Sequence, residues 1–152
     1  VGRLSQFAFR VHRTELLLRR GDVAGAMRML QEWENDIETL GPAQRFHPEY
    51  IKRLTRAASA GTPDQVAFVL AQLTAARGFA SLGSYQLAAL VLEKAGNPAG
   101  ASEVVRAGLQ IYPQCDPLLV AQARLAEITR TAPVVARLFS SQTTDSSRGP
   151  PP

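Results

Sequence analysis

Gly21, Gly61 and Gly96 constrain this chain more than any other feature. Each falls between two stretches whose apolar residues recur every three to four positions, the spacing of one face of an α-helix. A glycine that stops one helix just before another begins implies a helical hairpin. Three such junctions, 40 and 35 residues apart, imply a short array of repeated hairpins.

The helical stretches follow from the pattern. Residues 4–20 carry Phe7, Val11, Leu17 and Leu18 at helical spacing, and Gly21-Asp22 breaks the run. Residues 23–40 form a second predicted helix, with Ala26, Met29, Leu30, Trp33, Ile37 and Leu40 on one stripe before Gly41-Pro42. GPAQRFH reads as a polar loop, and His47-Pro48 as the start of a third helix that runs to Ala60. Thr62 and Pro63 suit the cap and first position of a fourth helix over 63–77. Gly78 and Gly83 bracket a short link. A fifth helix is expected over 84–95, a sixth over 99–111 ending at Tyr112-Pro113, and a seventh from Asp116-Pro117 to about Thr129. A short helical turn over 132–139 comes next. The closing SSQTTDSSRGPPP lacks apolar residues and reads as a disordered tail. No stretch alternates with a period of two, so essentially no strand is expected.

Aligned on the three glycines, the hairpins share more than their turns. Five residues on stand Ala26, Val66 and Ala101; nine on, Leu30, Leu70 and Val105. Four residues back stand Leu17, Ala57 and Leu92; eleven back, Arg10, Tyr50 and Tyr85. Small residues let helices approach closely, and large ones fill the space between hairpins. On Tyr85, Ala89, Leu92, Gly96, Ala101 and Pro113 the third hairpin resembles the tetratricopeptide repeat family. The first keeps Gly21, Ala26 and Leu30 but has Arg10 in the aromatic position. The second keeps Tyr50 and Gly61, with Val66 for alanine and Leu54 where a small residue is usual. The resemblance implies an all-α, right-handed superhelix of hairpins over residues 1–130. Its repeats would span about 7–40, 47–78 and 82–113, with a capping helix at 116–130 and a C-terminal segment at 131–152.

In that family the first helix of each pair lines a concave groove. Carried over by position, the groove would present Ala8, Val11, Glu15, Leu18 and Arg19 from the first repeat. Ile51, Thr55, Ala58 and Ser59 would come from the second, and Gln86, Leu90, Glu93 and Lys94 from the third. Such a surface suits an amphipathic helix or an extended segment. The resemblance therefore implies a non-catalytic scaffold or adaptor that binds protein partners and can sit within a larger complex. Family members that clamp a partner's C-terminal carboxylate use cationic and amide residues. The matching positions here are Val11, Glu15, Lys52, Gly83 and Leu87, where Glu15 would repel a carboxylate, so a co-chaperone role of that kind does not fit.

The alternative is a pentatricopeptide-like, RNA-contacting subunit of a large complex, for which the 35-residue spacing and a sequence pI of about 9.8 both speak. In that family paired positions read each base. Here they hold Lys52 with Leu82 and Leu87 with Pro117, which cannot form base-specific hydrogen-bond patterns. Arginines could still touch phosphate. They outnumber lysines fifteen to two, and the net charge of +4 is spread along the chain.

Catalytic chemistry has little footing. His12 and His47 lie on different elements without an evident acid partner, and a metal site would need more ligands than these and Cys115 provide. GDVAGA and GNPAGA lack the Lys-Ser/Thr of a phosphate-binding loop. No cofactor is expected. A single cysteine cannot form an internal disulfide, which points to a reducing compartment, cytoplasm or organelle matrix. No apolar run reaches the roughly 20 residues of a membrane span. The chain opens on valine, so an upstream segment is expected. The acidic run Glu32, Glu34, Asp36 and Glu38 around Trp33 places like charges four apart near a helix C-terminus, where both the pairing and the dipole are unfavourable. Arginines such as Arg45, or those of a partner, could offset this.

Overall fold

The computed structural model describes residues 2–75 and 80–145. These form an all-α fold of seven α-helices and one 3₁₀ segment, with no strand among the described residues. Helices α1 (Arg3–Arg19), α2 (Val23–Trp33), α3 (Pro42–Ala60) and α4 (Pro63–Ala75) are followed by α5 (Leu82–Lys94), α6 (Pro98–Ile111) and α7 (Asp116–Asp145). The 3₁₀ segment is Glu34–Thr39. α1 packs on α2, α3 on α4, α5 on α6, and α6 also on α7.

The three glycines do separate these helices. Gly21, Gly61 and Gly96 have φ of +81°, +66° and +82°, a region that side chains with a Cβ rarely adopt. At Gly21 the amide donates to Leu18 O and the Asp22 amide to Leu17 O; at Gly96 the amide donates to Glu93 O and the Asn97 amide to Leu92 O. Both are Schellman caps of one register. The following helices are capped alike: the Gly25 amide donates to Asp22 Oδ1 and the Gly100 amide to Asn97 Oδ1, each at 2.9 Å. The middle turn differs. The Gly61 amide makes one bond, to Ala57 O, and Thr62 Oγ1 accepts weakly from the Gln65 amide at 3.3 Å. Gly96→Ala should therefore lower stability by about 1–2 kcal/mol, read as a shifted denaturant midpoint with unchanged slope.

Three expectations change. The second helix does not run to residue 40 but tightens to 3₁₀ after Trp33. Three residues per turn take Glu32/Asp36 and Glu34/Glu38 out of the same-face register that an α-helix would impose. Arginines also meet this segment: Arg56 Nη2 stands 2.5 Å from Glu34 Oε2, and Arg45 donates to Leu40 O and Glu38 O at 2.7 Å. The third helix starts at Pro42, not at His47, and carries Pro48 in its interior. An interior proline costs about 3 kcal/mol, but the earlier start stacks Phe46 on Tyr50 one turn ahead, centroids 6.1 Å apart, and buries Pro48. The last helix does not end near Thr129 but continues through Pro133 to Asp145. The expected turn over 132–139 and the first residues of the expected tail thus belong to α7. Gly78 and residues 146–152 lie outside the described residues.

The core is continuous through all three hairpins. Ala26, Tyr50, Tyr85 and Ala101 are buried, while Pro113 is exposed just after α6. Trp33 is 1% exposed, and its indole N–H donates to Thr14 Oγ1 at 2.9 Å; Thr14 in turn donates to Arg10 O. A Cβ on Gly108 would stand 2.9 Å from Leu118 Cδ1 and 3.2 Å from Tyr85 Cβ, so this glycine lets α5, α6 and α7 close together. α3 touches both α1 and α5. α1 also touches α5 directly, and Lys94 Nζ donates to Arg19 O at 2.5 Å. In an extended array, hairpins contact only their immediate neighbours; here the first also meets the third.

Candidate functional site

The meeting of α1, α3 and the start of α5 leaves an open cleft of about 820 Å³. One stripe of α1 forms its first wall: Leu4, Phe7, Ala8, Val11, His12, Glu15 and Arg19, spaced three or four apart. The opposite wall is the opening turns of α3, with Ala43, Gln44, Phe46, His47, Pro48 and Tyr50. Leu40, Ser81, Gly83, Ser84 and Leu87 complete it. Ala43, Gln44, Phe46 and His47 of that wall belong to the stretch that reads as a loop in the sequence, because His47-Pro48 suits a helix start as well as Pro42 does.

Glu15 is the acidic residue of this lining. Its side chain is only 14% exposed. His12 Nδ1 and Arg19 Nε lie 3.8 Å from Glu15 Oε2, and His47 Nε2 lies 3.7 Å from Glu15 Oε1. These are ion-pair separations, too long for hydrogen bonds. The expectation that the histidines lack an acid partner is corrected here, since both face the same carboxylate. The three-residue step from His12 to Glu15 was a sequence signal for one contact. Nothing local announced His47, which arrives from another helix. Tyr50 anchors α3 beside this group: its hydroxyl donates to Ser84 O on α5. Burial, and after it the negative charge of Glu15, pushes the Tyr50 phenol well above the usual tyrosine range, so it stays protonated and able to donate.

The structure distributes the expected groove residues unevenly. Val11, Glu15 and Arg19 line the cleft together with Ala8. Leu18, Ile51 and Thr55 are buried in the core and reach no groove, and Ala58 is buried as well. The reason is that α1 and α5 both close on α3, so the central turns of α3 face protein on more than one side. Thr55 Oγ1 donates to Ile51 O at 2.6 Å, which satisfies it within its own helix. Gln86 and Leu90 are half-buried and lie outside the lining. Lys94 is exposed and holds the end of α1. Glu93 takes two bonds from Arg124 of α7, at 2.9 and 2.6 Å. Ser59 borders a separate hollow of about 290 Å³ between α2, α3 and α4. The alignment missed Phe7, Phe46, His47, Ser84 and Leu87 as partners in one cleft, although Leu87 was read as a clamp position.

Among the described residues, no group of three His, Cys, Asp or Glu is arranged to hold a metal ion, and no helix is long and apolar enough to cross a membrane. Comparison with protein-family models, with curated proteins and with solved structures finds no match to this chain.

Proposed function

We propose that this chain is a non-catalytic interaction module of tetratricopeptide-like hairpins that holds a polypeptide segment in the cleft between α1, α3 and α5. One observation carries this reading: an open, largely apolar cleft formed by the first helices of successive hairpins. Its volume suits a few side chains of a docked segment, not a whole helix, and its walls combine aliphatic and aromatic surface with a few polar groups. The repeated glycine turns and the buried alanine and tyrosine positions support the family resemblance. Contact with RNA has less support. Among the described arginines, Arg10, Arg19, Arg53, Arg56, Arg124 and Arg130 face carboxylates, and Arg45 holds backbone carbonyls.

A photocrosslinking side chain placed at Ala8, an exposed position of the cleft wall, tests the proposal in extract of the native cell. Crosslinks to a defined polypeptide are expected from position 8 and not from Ala67, which is exposed on α4 away from the cleft. Ala8→Trp fills the cleft from an exposed site. It should abolish copurification of that polypeptide while changing stability by no more than about 0.5 kcal/mol. Equal crosslinking from both positions would remove the cleft from consideration.

A further inference from the structure

We propose that the cleft receives a cationic side chain, lysine or arginine, carried on an apolar segment of a partner polypeptide, with Glu15 as its counter-ion. This rests on the reading of the cleft as a docking site and names what docks there. Two observations lead to it. First, Glu15 is largely desolvated at the cleft wall, and the nitrogens facing it stand at 3.7–3.8 Å, so its oxygens keep acceptor capacity for a donor that comes closer. Second, the opposite charge is placed differently. The Arg19 side chain is 47% exposed and screened by water, whereas a mostly buried charge is screened much less. Glu15 therefore sets the sign of the field inside the cleft.

The test is a display library of random ten-residue peptides selected on the full 152-residue protein at pH 7.5 and about 0.15 M salt, an ionic strength that screens exposed charges beyond roughly 8 Å. The enriched peptides are then measured by fluorescence anisotropy. Enrichment of apolar sequences with one lysine or arginine is expected. Replacing that residue with norleucine should weaken binding about tenfold, the size expected for a charge-assisted hydrogen bond. Glu15→Gln should remove that difference while leaving the circular dichroism and thermal midpoint in place. Arg19→Gln should strengthen binding of the cationic peptides. If the enriched peptides are apolar or acidic, displaced by Ala8→Trp but indifferent to Glu15→Gln, the cationic inference is overturned and the docking cleft stands. If nothing is enriched, both fall.

Discussion

Ile51→Asp is expected to unfold the chain. Ile51 is 0% exposed at the centre of α3, where α1 and α5 both approach. A carboxylate there has neither water nor a cation on its own helix face. Burying an unpaired charge ranks with the most damaging single changes, at more than about 4–5 kcal/mol. Total stability for a domain of this size is about 5–15 kcal/mol, so most or all of it is consumed. The measurement is helicity at 222 nm and the fluorescence of Trp33 at ambient temperature, both of which should approach their denatured values. An Ile51→Asp protein with native helicity would mean that α3 can expose this face, and that the core described above is wrong at its centre. By contrast, Ile51→Val should cost only about 0.5–1.5 kcal/mol, since it removes a single methylene.

Trp33→Ala should be the most damaging truncation in the first hairpin. The ring is buried at 1% exposure, meets the edge of Phe7 with centroids 5.7 Å apart and an interplanar angle of 89°, and donates to Thr14 Oγ1. Losing the ring costs about 3–5 kcal/mol through transfer and cavity terms. Trp33→Phe separates the ring from its N–H and should cost about 1 kcal/mol in lost hydrogen bonding, in addition to a smaller packing loss. A double-mutant cycle with Thr14→Val isolates the bond: the two single changes should not add if the indole N–H and the hydroxyl depend on each other. Additive losses in chemical denaturation would show that the bond contributes nothing separable. Phe7 also lines the cleft, so Trp33→Ala should loosen that wall even though Trp33 itself does not line it.

The sequence made the hairpins legible because their signals are local. Gly21, Gly61 and Gly96 need a backbone region that other residues avoid, and Asp22 and Asn97 cap the next helix from within three residues. Helix boundaries went astray where two local signals competed. Pro42 and Pro48 both suit a first helical turn, and the earlier start comes with contacts that no local pattern announces: Phe46 stacks on Tyr50 and Arg45 holds Leu40 O and Glu38 O. The acidic run after Trp33 carried a readable conflict between charge and α-helical spacing, and the chain resolves it by tightening the turn. The cleft was half legible. Val11, Glu15 and Arg19 share a helical stripe and could be assigned to one face. Assigning Ile51 and Thr55 to the same groove failed because repeat alignment gives position along a helix, while burial depends on how closely three helices converge. The meeting of His47 with Glu15 is a product of that convergence and had no local signal.

The link from Lys94 to the last turn of α1 ties residues 75 positions apart in the chain. A linear array can lose or gain a unit at either end with only a local effect, and its parts can melt one after another. Here the first unit leans on the third, so removal of either leaves the other with an uncovered flank. The chain should then melt as one cooperative body, and its folding should wait on a contact that closes only after most of the polypeptide has been ordered.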